Sequence, residues 1–166
     1  MALRPYSFLP RSRSKVVFVL VMAAYSTTIT YFMVAWRAAA QVQGPSSGFY
    51  SVLEQQPLEH ILELLIFAPV IESLILIAVL ELARRARATA GLQILSAAMS
   101  VSALHAWPWW PHAIIVLPAF CIDGASYLYW RSRASWKVAF LIIASIHALS
   151  NFISAIYALG YAVQKA

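Results

Sequence analysis

Residues 58–80 read LEHILELLIFAPVIESLILIAVL, and from Leu64 to Leu80 the only charged side chain is Glu72. A run of about 20 apolar residues is long enough to cross a bilayer as a helix. A helix is the form such a span takes, because it satisfies its own backbone donors and acceptors where no water reaches. A carboxylate halfway along it is costly in lipid, so it is expected to turn toward a protein interior and to carry function. Flanking residues offer it no cation, and no Lys or Arg stands inside any other apolar run. Its partners must come from other helices, and the available bases are imidazoles.

Four further apolar runs surround this one. The sequence predicts spans over 16–36, 58–80, 89–106, 113–130 and 138–159. The fold class expected is therefore all-α, a polytopic membrane helical bundle of about five transmembrane helices. Composition agrees: 62% of the 166 residues are hydrophobic and 11% charged, against roughly 45–50% and 25% in soluble domains. The first run, 21 residues long, exceeds the roughly 7–15 residues of a signal-peptide core and is expected to be retained. A polar connection, with Gly44-Pro45-Ser46-Ser47-Gly48 as its turn, divides the chain into residues 1–56 (tail, first helix and external loop) and a four-helix core at 57–166.

A net charge of +6 would suit a nucleic-acid or an anionic-lipid partner. Position decides for the membrane. Arg4, Arg11, Arg13, Lys15, Arg84, Arg85, Arg87, Arg131, Arg133 and Lys137 all fall at one end of the predicted bundle, with only Arg37 and Lys165 at the other. That is the positive-inside pattern. It places the N-terminus in the cytoplasm and the C-terminus outside, in the plasma or inner membrane if the source is bacterial. The expected partners are membrane lipid and a protein or peptide substrate, with no nucleic acid. The turn Trp107-Pro108-Trp109-Trp110-Pro111-His112 then falls at the outer interface, where indoles favour the headgroup layer. The one cysteine, Cys121, excludes an intrachain disulfide and is expected to be a buried thiol.

Polar residues inside the spans form the candidate site. His147 and Asn151 stand one helical turn apart on one face, continued by Ser154 and Ala158. His105 closes the third run, one turn after Val101. Asp123 is a further buried acid, expected either to line the same cavity or to bond Tyr127. Glu63 falls on the opposite side of its helix from Glu72 and is expected to be solvated. Pro69 cannot donate to the carbonyl of Leu65, so a kink near Glu72 is expected. Measured along the predicted spans at 1.5 Å per residue, Glu72 and His105 would differ in depth by about 15 Å, a gap that tilt, a longer third helix or the kink would have to close.

The order Pro69-Val70-Ile71-Glu72-Ser73, Val101-Ser-Ala-Leu-His105 and His147-Ala-Leu-Ser-Asn151 resembles the CPBP intramembrane metalloproteases, the CAAX-protease and bacteriocin-processing family. That family's pattern is Glu-Glu-x-x-x-Arg, then Phe-x-x-x-His, then His-x-x-x-Asn. The segment from Phe120-Cys-Ile-Asp-Gly124 to Arg131 resembles its glycine- and tyrosine-bearing helix, and the likeness covers about residues 61–157. Three positions depart: Ser73 stands for the second glutamate, Ile77 for the arginine and Val101 for the phenylalanine. The resemblance implies peptide hydrolysis, with Glu72 as general base assisted by His105, and with His147 and Asn151 donating to the oxyanion. Asp123 and Ser73 would line the site. In a metal-dependent version Glu72, His105 and His147 would hold zinc, and Asp123 would have to replace the missing base. The alternative is a catalytically inactive scaffold or immunity protein that binds a partner without cutting it.

Overall fold

Local sequence sets where each helix begins and ends. The computed structural model describes residues 9–10, 14–40, 57–107 and 109–165. The elements are α1 (Lys15–Ala39), α2 (Pro57–Leu62), a π-helical turn (Glu63–Phe67), α3 (Ala68–Arg85), α4 (Ala90–Leu104), α5 (Pro111–Arg131) and α6 (Trp136–Lys165). Ser14 and Thr89 cap α1 and α4, their hydroxyls accepting from the amides of Val17 and Leu92. Pro111 opens α5 at a position that needs no N–H. The tail arginines Arg4, Arg11 and Arg13, the turn at Gly44–Gly48, and the side chains of Ser154 and Ala158 lie outside the described residues.

Four stretches are long and apolar enough to cross a membrane: Lys15–Ala39, Glu59–Arg85, Pro111–Arg131 and Trp136–Ile153. α4 has 15 residues, about 22 Å of helix, which is short of a hydrocarbon core of about 30 Å. The expected bundle of about five helices is thus four long ones and one short one. The spans run a few residues past the predicted bounds, except α4, which stops before His105.

α5 occupies the centre, in contact with α1, α3, α4 and α6. Every residue from Asp123 to Trp130 is buried. α4 packs closely on it, with Ala97 and Ala98 of α4 fully buried and Ile94 lying over Gly124. Gly124 leaves only ordinary contact distance to Ile94 for an added methyl. Small side chains let helices approach closely where lipid supplies no hydrophobic drive. α1 packs on α5 and α6, and its Phe18 stacks on Tyr129 (5.3 Å between centroids) and meets Trp130 edge-on (5.4 Å). At the opposite end of α1 the Arg37 guanidinium covers the Trp109 ring at 4.4 Å.

α3 shows one face to the core and one outward. Pro69, Ser73, Leu76, Ile77 and Leu80 are buried, whereas Val70, Ile71 and Leu74 are exposed. Glu72 borders the buried stripe and looks inward.

Candidate functional site

Glu72 meets both histidines. Its Oε1 lies 3.5 Å from Nε2 of His105, and its Oε2 lies 3.5 Å from Nε2 of His147. The three side chains come from α3, from the cap of α4 and from the middle of α6, and are 15%, 23% and 11% exposed. The expected depth gap does not exist. Depth is set from the shared turn between α3 and α4: Glu72 stands thirteen residues before Arg85 and His105 fifteen after Ala90, about 20 and 22 Å of helix. The prediction of a gap placed both ends of α4 at the membrane faces. The short α4 instead stops at Leu104 and carries His105 to the level of the carboxylate.

Proton positions follow from the contacts. Nδ1 of His105 lies 3.1 Å from the carbonyl of Val101, an acceptor, so it carries a hydrogen. A neutral His105 then turns its Nε2 lone pair toward Glu72. Lone pairs cannot face each other across 3.5 Å without cost, so a labile proton belongs to this group, on the carboxyl or on an imidazole. The spacing exceeds the roughly 2.7–2.9 Å of a direct charged hydrogen bond. A water oxygen can sit at the apex, about 2.8 Å from both atoms.

Asp123 takes the first of its two expected places. Its Oδ2 lies 4.0 Å from Nδ1 of His147, while the Tyr127 hydroxyl donates instead to Glu81 (2.8 Å). His147 therefore stands between two carboxylates, one at each ring nitrogen. Glu72 Oε2, His147 Nδ1, Asp123 Oδ1, Ser102 Oγ and Ser126 Oγ are buried with no hydrogen-bond partner among the described residues. Buried polar atoms without partners are rare, and each costs about 1–3 kcal/mol. This many on adjoining helices suits a pocket that takes a small polar molecule.

Asn151 has a different task from the expected one. In the π-helical turn the Ala68 N–H bonds the Glu63 carbonyl, five residues back. The next residue is Pro69, so the register freed is that of Leu64, where an α-helical count pointed to Leu65. The Asn151 amide donates to that Leu64 carbonyl at 2.9 Å. It replaces the hydrogen that proline lacks and ties α6 to the segment leading into Glu72. Ser73 is buried beside Leu76 on the packing stripe, and Ile77 is buried too. Where the family pattern has a glutamate and an arginine, this chain has close packing. Glu63 is exposed, 3.6 Å from His60, as expected.

Two residues of the site were not anticipated. Phe120 packs against both imidazoles, 5.5 Å from the rings of His105 and His147. His112 meets His105 edge-on, also at 5.5 Å, and is exposed. In sequence His112 reads as part of the aromatic turn. The one signal is Pro111, which starts α5 early enough to place His112 in its first turn, back against His105. A second polar cluster, around Glu81, was also unforeseen. Its carboxylate takes hydrogen bonds from Tyr127, from Arg131 (3.2 Å) and from Arg84, joining α3 to α5 at the basic end.

Among the described residues no three His, Cys, Asp or Glu side chains are grouped so that they could hold a metal ion. Glu72, His105 and His147, the zinc set of the metal-dependent version, meet through one carboxylate oxygen at each imidazole. Comparison with protein-family models, with curated proteins and with solved structures gives no match.

Proposed function

We propose that this chain is an intramembrane endopeptidase that hydrolyses a peptide bond of a membrane-associated or lipid-modified protein or peptide. One observation supports it most: a carboxylate inside the bundle has each oxygen 3.5 Å from a different imidazole. Hydrolysis needs a base for water, a donor for the oxyanion and a proton for the leaving amine. Glu72 takes a proton from water held beside His105, and the oxygen attacks the scissile carbonyl. His147, braced by Asp123, donates to the developing oxyanion. Glu72 then returns the proton to the amine nitrogen. Asn151 acts as a positioning residue through Leu64, and no step uses a metal. The charge bias puts His112 on the outer side, where it links His105 to water.

The test is a comparison of new N-termini. Proteoliposomes holding the full chain and a membrane-protein extract are incubated beside identical ones holding Glu72→Gln, and the peptide termini are sequenced. Wild-type protein should generate termini that the variant does not, with both forms equally folded by circular dichroism. Equal termini from both would remove Glu72 from any hydrolysis.

Packing at Ser73 and Ile77 favours a second reading, a membrane scaffold or immunity protein that binds a partner without cleavage. In that case neither form cuts, and a co-purifying membrane polypeptide stays intact.

A further inference from the structure

Away from the polar site, α1, the π-helical turn and α6 enclose a groove of about 670 Å³. Leu65, Leu141, Ala148 and Phe152 line it, and the one charged side chain on its wall is Lys15, at the basic end. From Val138 to Phe152 the groove follows fifteen residues of α6, about 21 Å from first to last. The groove is open along its length, and its wall is apolar apart from Lys15 and Ser145. An acyl chain anchored at the basic end would run along this apolar wall through one leaflet's half, about 15 Å of a core about 30 Å thick. Lys15, with Lys137 preceding the wall residue Val138, sets a positive charge where that chain's headgroup would lie.

We propose that this groove is a binding site for one anionic phospholipid, its acyl chain along α6 and its phosphate on Lys15. The inference is independent of the proposed hydrolysis. It also gives the site a neighbour, because Leu65 in the groove wall adjoins Leu64, the residue held by Asn151.

Native mass spectrometry of the full chain released from detergent tests this, with phosphatidylglycerol or phosphatidylcholine added in equal amounts. One phosphatidylglycerol should be retained, in preference to phosphatidylcholine. Lys15→Gln should reduce that preference about fivefold, the effect of one basic residue at a lipid surface. Arg87→Gln, at the basic end but outside the groove, should leave it unchanged. Ala148→Phe, which fills the groove, should abolish retention of either lipid while circular dichroism stays helical. Equal retention of the two lipids by wild-type protein would overturn the proposal. So would equal losses in Lys15→Gln and Arg87→Gln, or a second copy of the chain held in place of lipid.

Discussion

Glu72 is the meeting point of His105 and His147, whose other ring nitrogens face the Val101 carbonyl and Asp123. Ionised groups in hydrocarbon are stabilised only by pairing, and the carboxylate is shared between two rings. Asp123 contributes to that balance from behind His147. Replacing it with Asn keeps the shape and removes the charge. Under the proposed hydrolysis, Asp123→Asn should lower cleavage with unchanged expression, by up to the roughly 10²–10⁴-fold that positioned acid–base catalysis supplies, measured on any substrate found by N-terminal sequencing. Phe120→Ala, which removes the ring packed on both imidazoles, should lower it in the same direction. At this scale the sequence was legible where a polar residue broke an apolar run, as Glu72 and His147 do. His112 and Phe120 were hidden, because a histidine in an aromatic turn and a phenylalanine in an apolar helix break no pattern.

At the level of the elements, the π-helical turn and Asn151 form a unit. The carbonyl of Leu64 loses its donor to Pro69 and gains one from α6. Asn151→Leu should cost about 1 kcal/mol in urea or detergent unfolding, the net worth of one such bond. In a Pro69→Ala background the backbone supplies the missing N–H, so the same replacement should cost much less. The difference is a coupling a double-mutant cycle measures, and additive losses would exclude the link. Between α3 and α4, Arg87 adopts φ 59°. The amides of Arg87 and Ala88 return to the carbonyls of Arg84 and Ala83, the Schellman pattern that usually ends in glycine. Arg87→Gly should raise stability by up to about 1 kcal/mol, read as a shift in Tm. The helix boundaries were legible from Ser14, Thr89 and Pro111. The π register was not, since nothing in LELLIFAP distinguishes it from an α-turn until Asn151 is seen across the bundle.

On the scale of the whole molecule, composition and the spacing of apolar runs made the helical bundle plain. They left open the level at which the helices meet. Depth was set by a short α4, and its length depends on a turn that an apolar run does not mark. Tight packing carries the assembly, and Ala125 on the central helix is only 1% exposed. Ala125→Leu should destabilise the bundle by about 1–3 kcal/mol through overpacking, detected as a lower Tm in detergent. The charge bias predicts topology as well. A cysteine at position 133 should react with an impermeant maleimide only from the cytoplasmic side, and one at position 110 only from outside, in a Cys121→Ala background.

The sharing of one carboxylate by two imidazoles is tested most directly by ¹⁵N magnetic resonance of histidine-labelled protein in bilayers. Glu72→Gln should move the Nε2 resonances of both His105 and His147, whereas Asp123→Asn should move the Nδ1 resonance of His147 and leave His105 nearly unchanged. If Glu72→Gln moved only one of the two, or neither, the carboxylate would not be common to both rings.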